Sequence, residues 1–281
     1  MFSSPCPYSS FSDYNWSSTD QREPPPGCST LVWNPVVFLL ASSFQICTIF
    51  IGGDIHVQLF YRFRKKKTLY FWSMMIATWG TLSYSAAVLT TLLGNVPMAA
   101  TILSNAGWII MTTGFQFVLY SRLHLVNPGP KVLRTVLICI IVNAMLFHGI
   151  IIILAGVATV HPEAILERVF EAFSFTEIVF TVQEMVITTL YVYYFIQQTV
   201  ETQGEPDTKR TLKLLIAAEV VVFVTDVILN LLLYKWRFLP RNMIQPFCTA
   251  LKLKIEFVVL NSLVDYSKSI SRSTALPRWD N

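Results

Sequence analysis

The sequence predicts an all-α polytopic membrane protein with seven transmembrane helices, a lumenal or extracellular N-terminus and a cytosolic C-terminus. Of its 281 residues, 53% are hydrophobic and only 14% are charged, whereas soluble domains carry about 25% charged residues. Seven apolar segments are each long enough to cross a hydrocarbon core about 30 Å thick. Their backbones must be helical, because lipid offers no hydrogen-bond partners to free backbone groups.

The chain divides into a tail, a membrane domain and a second tail. Residues 1–30 are polar, rich in Ser and Pro and lack an apolar run, so we expect a disordered lumenal segment without a cleavable signal peptide. The seven-helix domain is expected over residues 31–266, and a cytosolic tail over residues 267–281. The predicted helices lie at about 33–60, 69–93, 98–120, 132–158, 169–196, 212–234 and 243–264.

Basic residues determine the predicted orientation, because Lys and Arg collect on the cytosolic side of membrane proteins. The strongest indication is the run from Arg62 to Lys67 after the first helix, and Arg122 and Arg134 flank the next connection on the same side. Asn15 stands in an Asn-Trp-Ser sequon that would face the lumen, so we expect it to be glycosylated. The endoplasmic reticulum or another endomembrane is the expected location.

Metal and cofactor chemistry is not expected from this sequence. The cysteines occur singly and form no CxxC pair, which makes a zinc site improbable: Cys6, Cys28, Cys47, Cys139 and Cys248. In a lumenal tail, Cys6 and Cys28 would be able to form a disulfide. His148 has no HxxxH or HxxE pairing, so we expect an interior histidine rather than a metal ligand. We predict no metal, no cofactor and no nucleic-acid partner.

Charged residues inside the predicted helices are the candidates for function, because ionisable groups are costly in lipid. Glu177 and Glu184 of helix 5 are seven residues apart and share one face, and so do Glu219 and Asp226 of helix 6. In helix 7, a lysine and an acid four residues apart also share a face. These candidates are Glu177, Glu184, Glu219, Asp226, Lys252 and Glu256.

Three of these residues are predicted to lie at one depth. Glu177, Asp226 and Lys252 each stand eight or nine residues from the outer end of their helix, which corresponds to about 12 Å. The other three acids would lie deeper. If the helices are neighbours, helices 5, 6 and 7 enclose one polar cluster.

The balance of charge in this cluster predicts a protonated acid. Five acids face at most two lysines, Lys252 and Lys254, and a buried carboxylate without a counter-charge takes up a proton. Such a carboxyl group is a Brønsted acid in an apolar site. The structural alternative is that the acids pair with cations and tie helices together. Lys254 points away from Lys252, so we expect it to pack against another helix or to snorkel.

Several strings resemble a large family of fungal seven-helix integral membrane proteins. YSRLHLV begins at Tyr120, Gln183-Glu184 lies in helix 5, Asp226 lies in helix 6, and KLKIEFVVLN begins at Lys252. The resemblance covers about residues 35–265. The stretch Thr113-Gly114-Phe115-Gln116 departs from the TGQS-like pattern of the family. The characterised relatives look like membrane-bound terpene cyclases of fungal meroterpenoid biosynthesis.

The resemblance implies an isomerase or lyase of secondary metabolism. Its substrate would be a lipophilic, prenylated (farnesyl-type) aromatic or polyketide intermediate, and its acid would protonate an alkene or an epoxide. Aromatic ring faces would stabilise the resulting carbocation. Glu184 or Asp226 is expected to be the acid, with Glu177 as a second candidate or partner. A supporting polar cluster is expected from Lys252, Glu256 and Glu219.

Three other classes remain open. An orphan receptor of the G-protein-coupled type fits seven helices and Arg122 at the inner end of helix 3. However, helix 7 lacks an NPxxY-like end, no cysteine starts helix 3, and the cytosolic connections are short. A retinal protein would use Lys252 for a Schiff base, but helix 3 has no acid as counter-ion. A proton-coupled transporter would use the acids as a relay, but the sequence shows no internal repeat.

Overall fold

The computed structural model describes residues 35–62, 68–92, 98–126, 128–158, 162–201, 206–236 and 238–275. Within these ranges the chain is entirely helical: α1 Pro35–Arg62, α2 Leu69–Leu92, α3 Met98–Leu125, α4 Pro130–Ala158, α5 Pro162–Glu201, α6 Pro206–Trp236 and α7 Phe238–Ala275. The predicted all-α class and the seven helices are therefore confirmed. The predicted N-terminal tail, with Asn15, Cys6 and Cys28, lies outside the described residues.

Proline marks the starts of four helices: Pro35, Pro130, Pro162 and Pro206. Proline is favoured at the first helical position because its fixed φ suits a helix and its missing N–H would be unpaired there. Before α4, Gly129 adopts φ 102°, a backbone conformation that suits glycine because it has no Cβ. Gly129 and Pro130 together explain the short connection between α3 and α4.

Four helices contain stretches long and apolar enough to cross a membrane: Phe38–Tyr61, Ile102–Leu125, Pro130–Leu154 and Glu171–Gln197. Large apolar side chains cover their outer surfaces. Phe50 on α1 is 77% exposed and Ile153 on α4 is 66% exposed. In a soluble protein such a surface would aggregate, whereas lipid solvates it. These helices identify the chain as a membrane protein.

Several helices are longer than the sequence predicted. α5 begins at Pro162, and α7 extends from Phe238 to Ala275, into the predicted C-terminal tail. α3 continues to Leu125, past the predicted end at residue 120, so Arg122 lies within the helix. The difference arises because hydropathy marks only the lipid-crossing part of a helix. Backbone hydrogen bonds carry the helix beyond it.

The α2–α3 pair is packed through glycines. A Cβ added at Gly80 would lie 2.4 Å from the backbone nitrogen of Met111, and one at Gly107 would lie 2.6 Å from that of Tyr84. Small residues allow membrane helices to approach this closely. α3 also packs against α4, α5 and α7, and α7 packs against α1, α2 and α6. The rigid α2–α3 pair therefore presents one face of α3 to the site.

Candidate functional site

A buried lysine joins three helices in the first of two charge clusters. The Lys252 Nζ of α7 donates a hydrogen bond to Glu184 Oε2 of α5 at 3.2 Å and another to Asp226 Oδ1 of α6. The lysine is only 6% exposed and Asp226 only 7%. The same Nζ lies 5.1 Å from the centroid of the Phe115 ring of α3, within the range of a cation–π contact. We call Lys252, Glu184, Asp226 and Glu177 the outer cluster.

Glu177 completes the outer cluster through neutral donors. Trp108 Nε1 donates to Glu177 Oε1 at 2.9 Å, and Gln245 Nε2 donates to the same oxygen at 3.4 Å. Trp108 lies on α3 and Gln245 on α7, so this carboxyl group links both helices to α5. These donors fix the orientation of the carboxyl group.

A small cavity lies among these side chains. Its volume is about 30 Å³, and all four residues of the outer cluster line it. Phe115 of α3 and Phe180 of α5 also line the cavity. This volume holds one or two water molecules. The cavity thus brings carboxyl groups, an ammonium group and aromatic rings together away from bulk water.

The second cluster surrounds Arg122. Its Nη1 donates to Glu219 Oε1 of α6 at 3.0 Å and also binds Glu256 Oε2 of α7. The guanidinium carbon lies 4.5 Å from the ring centroid of Tyr191 on α5. Arg122 is only 1% exposed, and a guanidinium group buried this deeply needs charged partners. We call Arg122, Glu219 and Glu256 the inner cluster.

The structure thus divides the predicted polar cluster into two. Lys252 and Glu256 share a face of α7, as predicted, but each pairs with a different set of helices. One turn of helix separates them by about 6 Å, which is enough to give each its own partners. α3 forms a fourth wall that the prediction of a site between helices 5, 6 and 7 did not include.

Lys252 is a cation of the site, as predicted, and Lys254 points to another helix, as expected, but the second buried cation was not predicted. Lys254 does not join the candidate residues but forms an ion pair with Asp54 of α1, a partner that the sequence did not indicate. Arg122 takes its place as the second buried cation. One signal in the sequence would have shown this: Trp108, Phe115 and Arg122 stand seven residues apart, so they share one face of α3.

Both clusters contain more carboxyl groups than cations. The outer cluster has three carboxyl groups around one ammonium group, and the inner cluster has two around one guanidinium group. Full ionisation would leave two uncompensated negative charges in the outer cluster and one in the inner cluster, a state that burial strongly disfavours. The arrangement is therefore suited to holding exchangeable protons.

His148 occupies an aromatic setting beside the outer cluster. Its Nε2 lies 3.0 Å from Thr113 Oγ1, within hydrogen-bonding distance. Its ring centroid lies 5.0 Å from that of Trp108 and 5.0 Å from that of Phe180. In the described ranges no group of three His, Cys, Asp or Glu side chains is arranged to hold a metal ion. His148 is only 5% exposed, which makes it an interior histidine.

The fold and the site define a helical membrane protein with buried, acid-rich charge clusters. The chain belongs to the DUF7703 family, a domain of unknown function, whose model matches residues 33–276. That match covers both clusters and all seven helices. A search of curated proteins finds no match.

Proposed function

We propose that this protein is a membrane-bound terpene cyclase acting on a prenylated, farnesyl-type aromatic or polyketide intermediate. One observation carries the proposal: Glu184 and Asp226 share the ammonium group of Lys252 inside a cavity faced by Phe115. One ammonium group balances the charge of one carboxylate. The second carboxyl group is therefore suited to carry a proton. A carboxyl group in an apolar site keeps its proton at neutral pH, so it is available as a general acid.

The reaction is an isomerisation. The carboxyl group transfers its proton to a terminal alkene carbon or epoxide oxygen, and the electron pair of the next double bond attacks the cationic carbon to close a ring. A carboxylate then accepts a proton from the final cation, so no atom is gained or lost. Glu184 or Asp226 is the donor, and Glu177, held by Trp108, is a candidate acceptor.

The surroundings of the acids support this chemistry. The 5.1 Å contact between Lys252 Nζ and the Phe115 ring places a cation over that ring. A carbocation formed beside the acids would be stabilised by the aromatic rings that line the cavity. Phe180 lines another side of the cavity. The inner cluster, with Glu256 and Glu219, lies one turn away and would help to set the charge balance.

The membrane topology is part of the proposal. We propose that all seven helices cross the bilayer, with a lumenal N-terminus glycosylated at Asn15 and a cytosolic C-terminus. The shortest helix, α2, has 24 residues and a length of about 36 Å, which exceeds a hydrocarbon core of about 30 Å. The endoplasmic reticulum suits an enzyme whose intermediates dissolve in lipid.

Product analysis tests the cyclase directly. Microsomes containing the wild type, Glu184→Gln or Asp226→Asn are incubated with farnesylated phenols and their terminal epoxides, then analysed by chromatography with mass detection. We expect a product of unchanged mass and shifted retention, lost in at least one variant at equal protein level. Asp54→Asn, which removes a carboxyl group outside both clusters, is the matched control and retains the product. If no panel member is converted by inserted protein, the receptor described next becomes the favoured function.

A receptor of the G-protein-coupled type is the second candidate. It is favoured by the inner cluster, in which Arg122 of α3 binds acids of both α6 and α7. A cation that ties three helices together near their inner ends can stabilise one of two helix arrangements. Guanine-nucleotide exchange on co-expressed G proteins tests this function. Exchange that rises in Glu219→Gln would support a receptor, and no exchange in either form would count against it.

A further inference from the structure

The cavity is closed to anything larger than water in this structure. Its volume is about 30 Å³, whereas pockets for drug-sized ligands enclose roughly 300–1,000 Å³. A prenylated substrate therefore reaches the carboxyl groups only after helices have moved apart. The pair of helices that separates determines whether the substrate arrives from water or from lipid.

The boundary between α5 and α6 is the least covered wall of the cavity. Thr181 and Glu184 of α5 and Asp226 and Asn230 of α6 line the cavity along this boundary, and we call these four residues the α5–α6 seam. Thr181, Glu184 and Asn230 are partly exposed. Every cavity-lining side chain of α7, in contrast, is buried. The seam therefore connects the cavity with the outside of the bundle through partly exposed side chains.

The outer surface beside the seam is apolar. On α5, Val182 and Val186 are each 53% exposed. On α6, Val227 is 38% exposed and Leu231 is 61% exposed. These side chains stand next to the seam residues in the sequence and face outward, where lipid covers them. A molecule that enters through the seam must therefore be soluble in the bilayer.

Side-chain hydrogen bonds and the shared lysine hold the seam closed. Asn230 Nδ2 donates a hydrogen bond to Thr181 Oγ1 at 3.0 Å, which joins α6 to α5 directly. Lys252 of α7 bridges Glu184 and Asp226 from the far side of the cavity. Hydrogen bonds between neutral side chains of membrane helices contribute little to stability. The bond between Asn230 and Thr181 is thus the contact that opens most easily.

We propose that the α5–α6 seam is a lateral portal through which a lipid-soluble, prenylated substrate enters the cavity from the bilayer, with the Asn230–Thr181 hydrogen bond as its latch. The identity of the substrate rests on the proposed function. The portal itself is a property of the helix packing, so it is tested without any substrate.

Photolabelling with a lipid-soluble phenyl diazirine tests the portal in reconstituted bilayers. The probe is larger than the closed cavity, so it labels Phe115, which is only 2% exposed, solely when the seam opens. Ile153 of α4 is 66% exposed and serves as the internal reference. Mass spectrometry of peptides gives the ratio of label at Phe115 to label at Ile153. We expect measurable label at Phe115, and Asn230→Leu raises the ratio about threefold, the factor set by one such hydrogen bond.

A cross-link across the seam supplies the decisive comparison. In a background whose five native cysteines are replaced by Ser, a disulfide between Thr181→Cys and Asn230→Cys is expected to abolish label at Phe115. The matched control joins α1 and α2 through Gln45→Cys and Ser85→Cys, a buried hydrogen-bonded pair outside the seam, and leaves the ratio unchanged.

Two results would overturn the portal. One is a ratio that stays the same when the seam is cross-linked, and the other is an unlabelled Phe115 in Asn230→Leu while Ile153 is labelled. Loss of label on cross-linking in a protein that converts no prenylated phenol would instead contradict the cyclase and leave the portal in place.

Discussion

The indole Nε1 of Trp108 lies 2.9 Å from Oε1 of Glu177, and this hydrogen bond ties α3 to α5 beside the cavity. Both side chains are buried, at 3% and 8% exposure. Because Gln245 of α7 donates to the same carboxylate oxygen, one carboxyl group holds three helices in register. The contact explains why an acid is tolerated at this position in the bundle.

Trp108→Phe is expected to destabilise the protein by about 0.5–1.5 kcal/mol, since it leaves a buried carboxyl group with one donor fewer. Phe keeps most of the ring packing, so the loss reports the hydrogen bond. The measurement is the thermal unfolding midpoint in detergent. Trp72→Phe, at a side chain that is 55% exposed, is the matched control. An equal shift in both variants would show that the bond contributes nothing.

Lys252→Met is expected to be the most damaging single change in the outer cluster, with a loss of about 3–5 kcal/mol, because it leaves Glu184 and Asp226 without their cation. The triple variant with Glu184→Gln and Asp226→Asn added should recover much of this loss, since the two carboxyl groups that share Lys252 are then replaced by neutral amides. Lys131→Met, at an exposed lysine, is the control. The measurement is the thermal unfolding midpoint of the wild type, Lys252→Met, the triple variant and Lys131→Met. A triple variant as unstable as Lys252→Met would show that unpaired carboxyl groups are not the cause of the loss.

Gly80→Ala should weaken the α2–α3 pair by about 1–3 kcal/mol, because the new methyl group overlaps backbone that cannot easily yield. Its Cβ would lie 2.4 Å from Met111 N and 2.8 Å from the carbonyl carbon of Ile110. Gly149→Ala on α4 is the matched control, since a Cβ there meets nothing within 4 Å. Thermal unfolding of both variants gives the comparison. Equal stability of the two would mean that α2 and α3 can separate freely.

Asp54→Asn should have a small effect, less than about 1 kcal/mol, although it breaks the ion pair with Lys254. The Asp54 side chain is 38% exposed and that of Lys254 is 27% exposed, so Lys254 can reorient towards the membrane surface. The unfolding midpoint of Asp54→Asn is compared with that of Lys252→Met. The comparison measures how much more a buried ion pair contributes to stability than a partly exposed one. A loss as large as that of Lys252→Met would contradict this ranking.

The helices could be predicted because membrane helices follow from composition and length alone. Each predicted segment overlaps one helix of the structure. The ends were less accurate, since α3 continues through Arg122 and α7 through Ala275. Hydropathy falls where a helix leaves lipid, but nothing in the sequence at these points breaks the backbone hydrogen-bond pattern.

The partners within the site could be predicted only in part. Seven-residue spacing correctly placed Glu177 and Glu184 on one face of α5, and both line the cavity or bind its lysine. Spacing along one helix does not reveal which neighbouring helix faces it. For this reason the contribution of α3, and the pairing of Arg122 with Glu256, became visible only in the three-dimensional structure.

The glycine packing of α2 and α3 has a consequence for biosynthesis. These two helices follow one another in the chain, so they can pair as soon as both have left the ribosome. Arg122, carried by that early hairpin, is made 97 residues before Glu219 and 134 residues before Glu256. Its charge must therefore be sheltered by water, lipid headgroups or the insertion machinery until α6 and α7 arrive, and the inner cluster closes last.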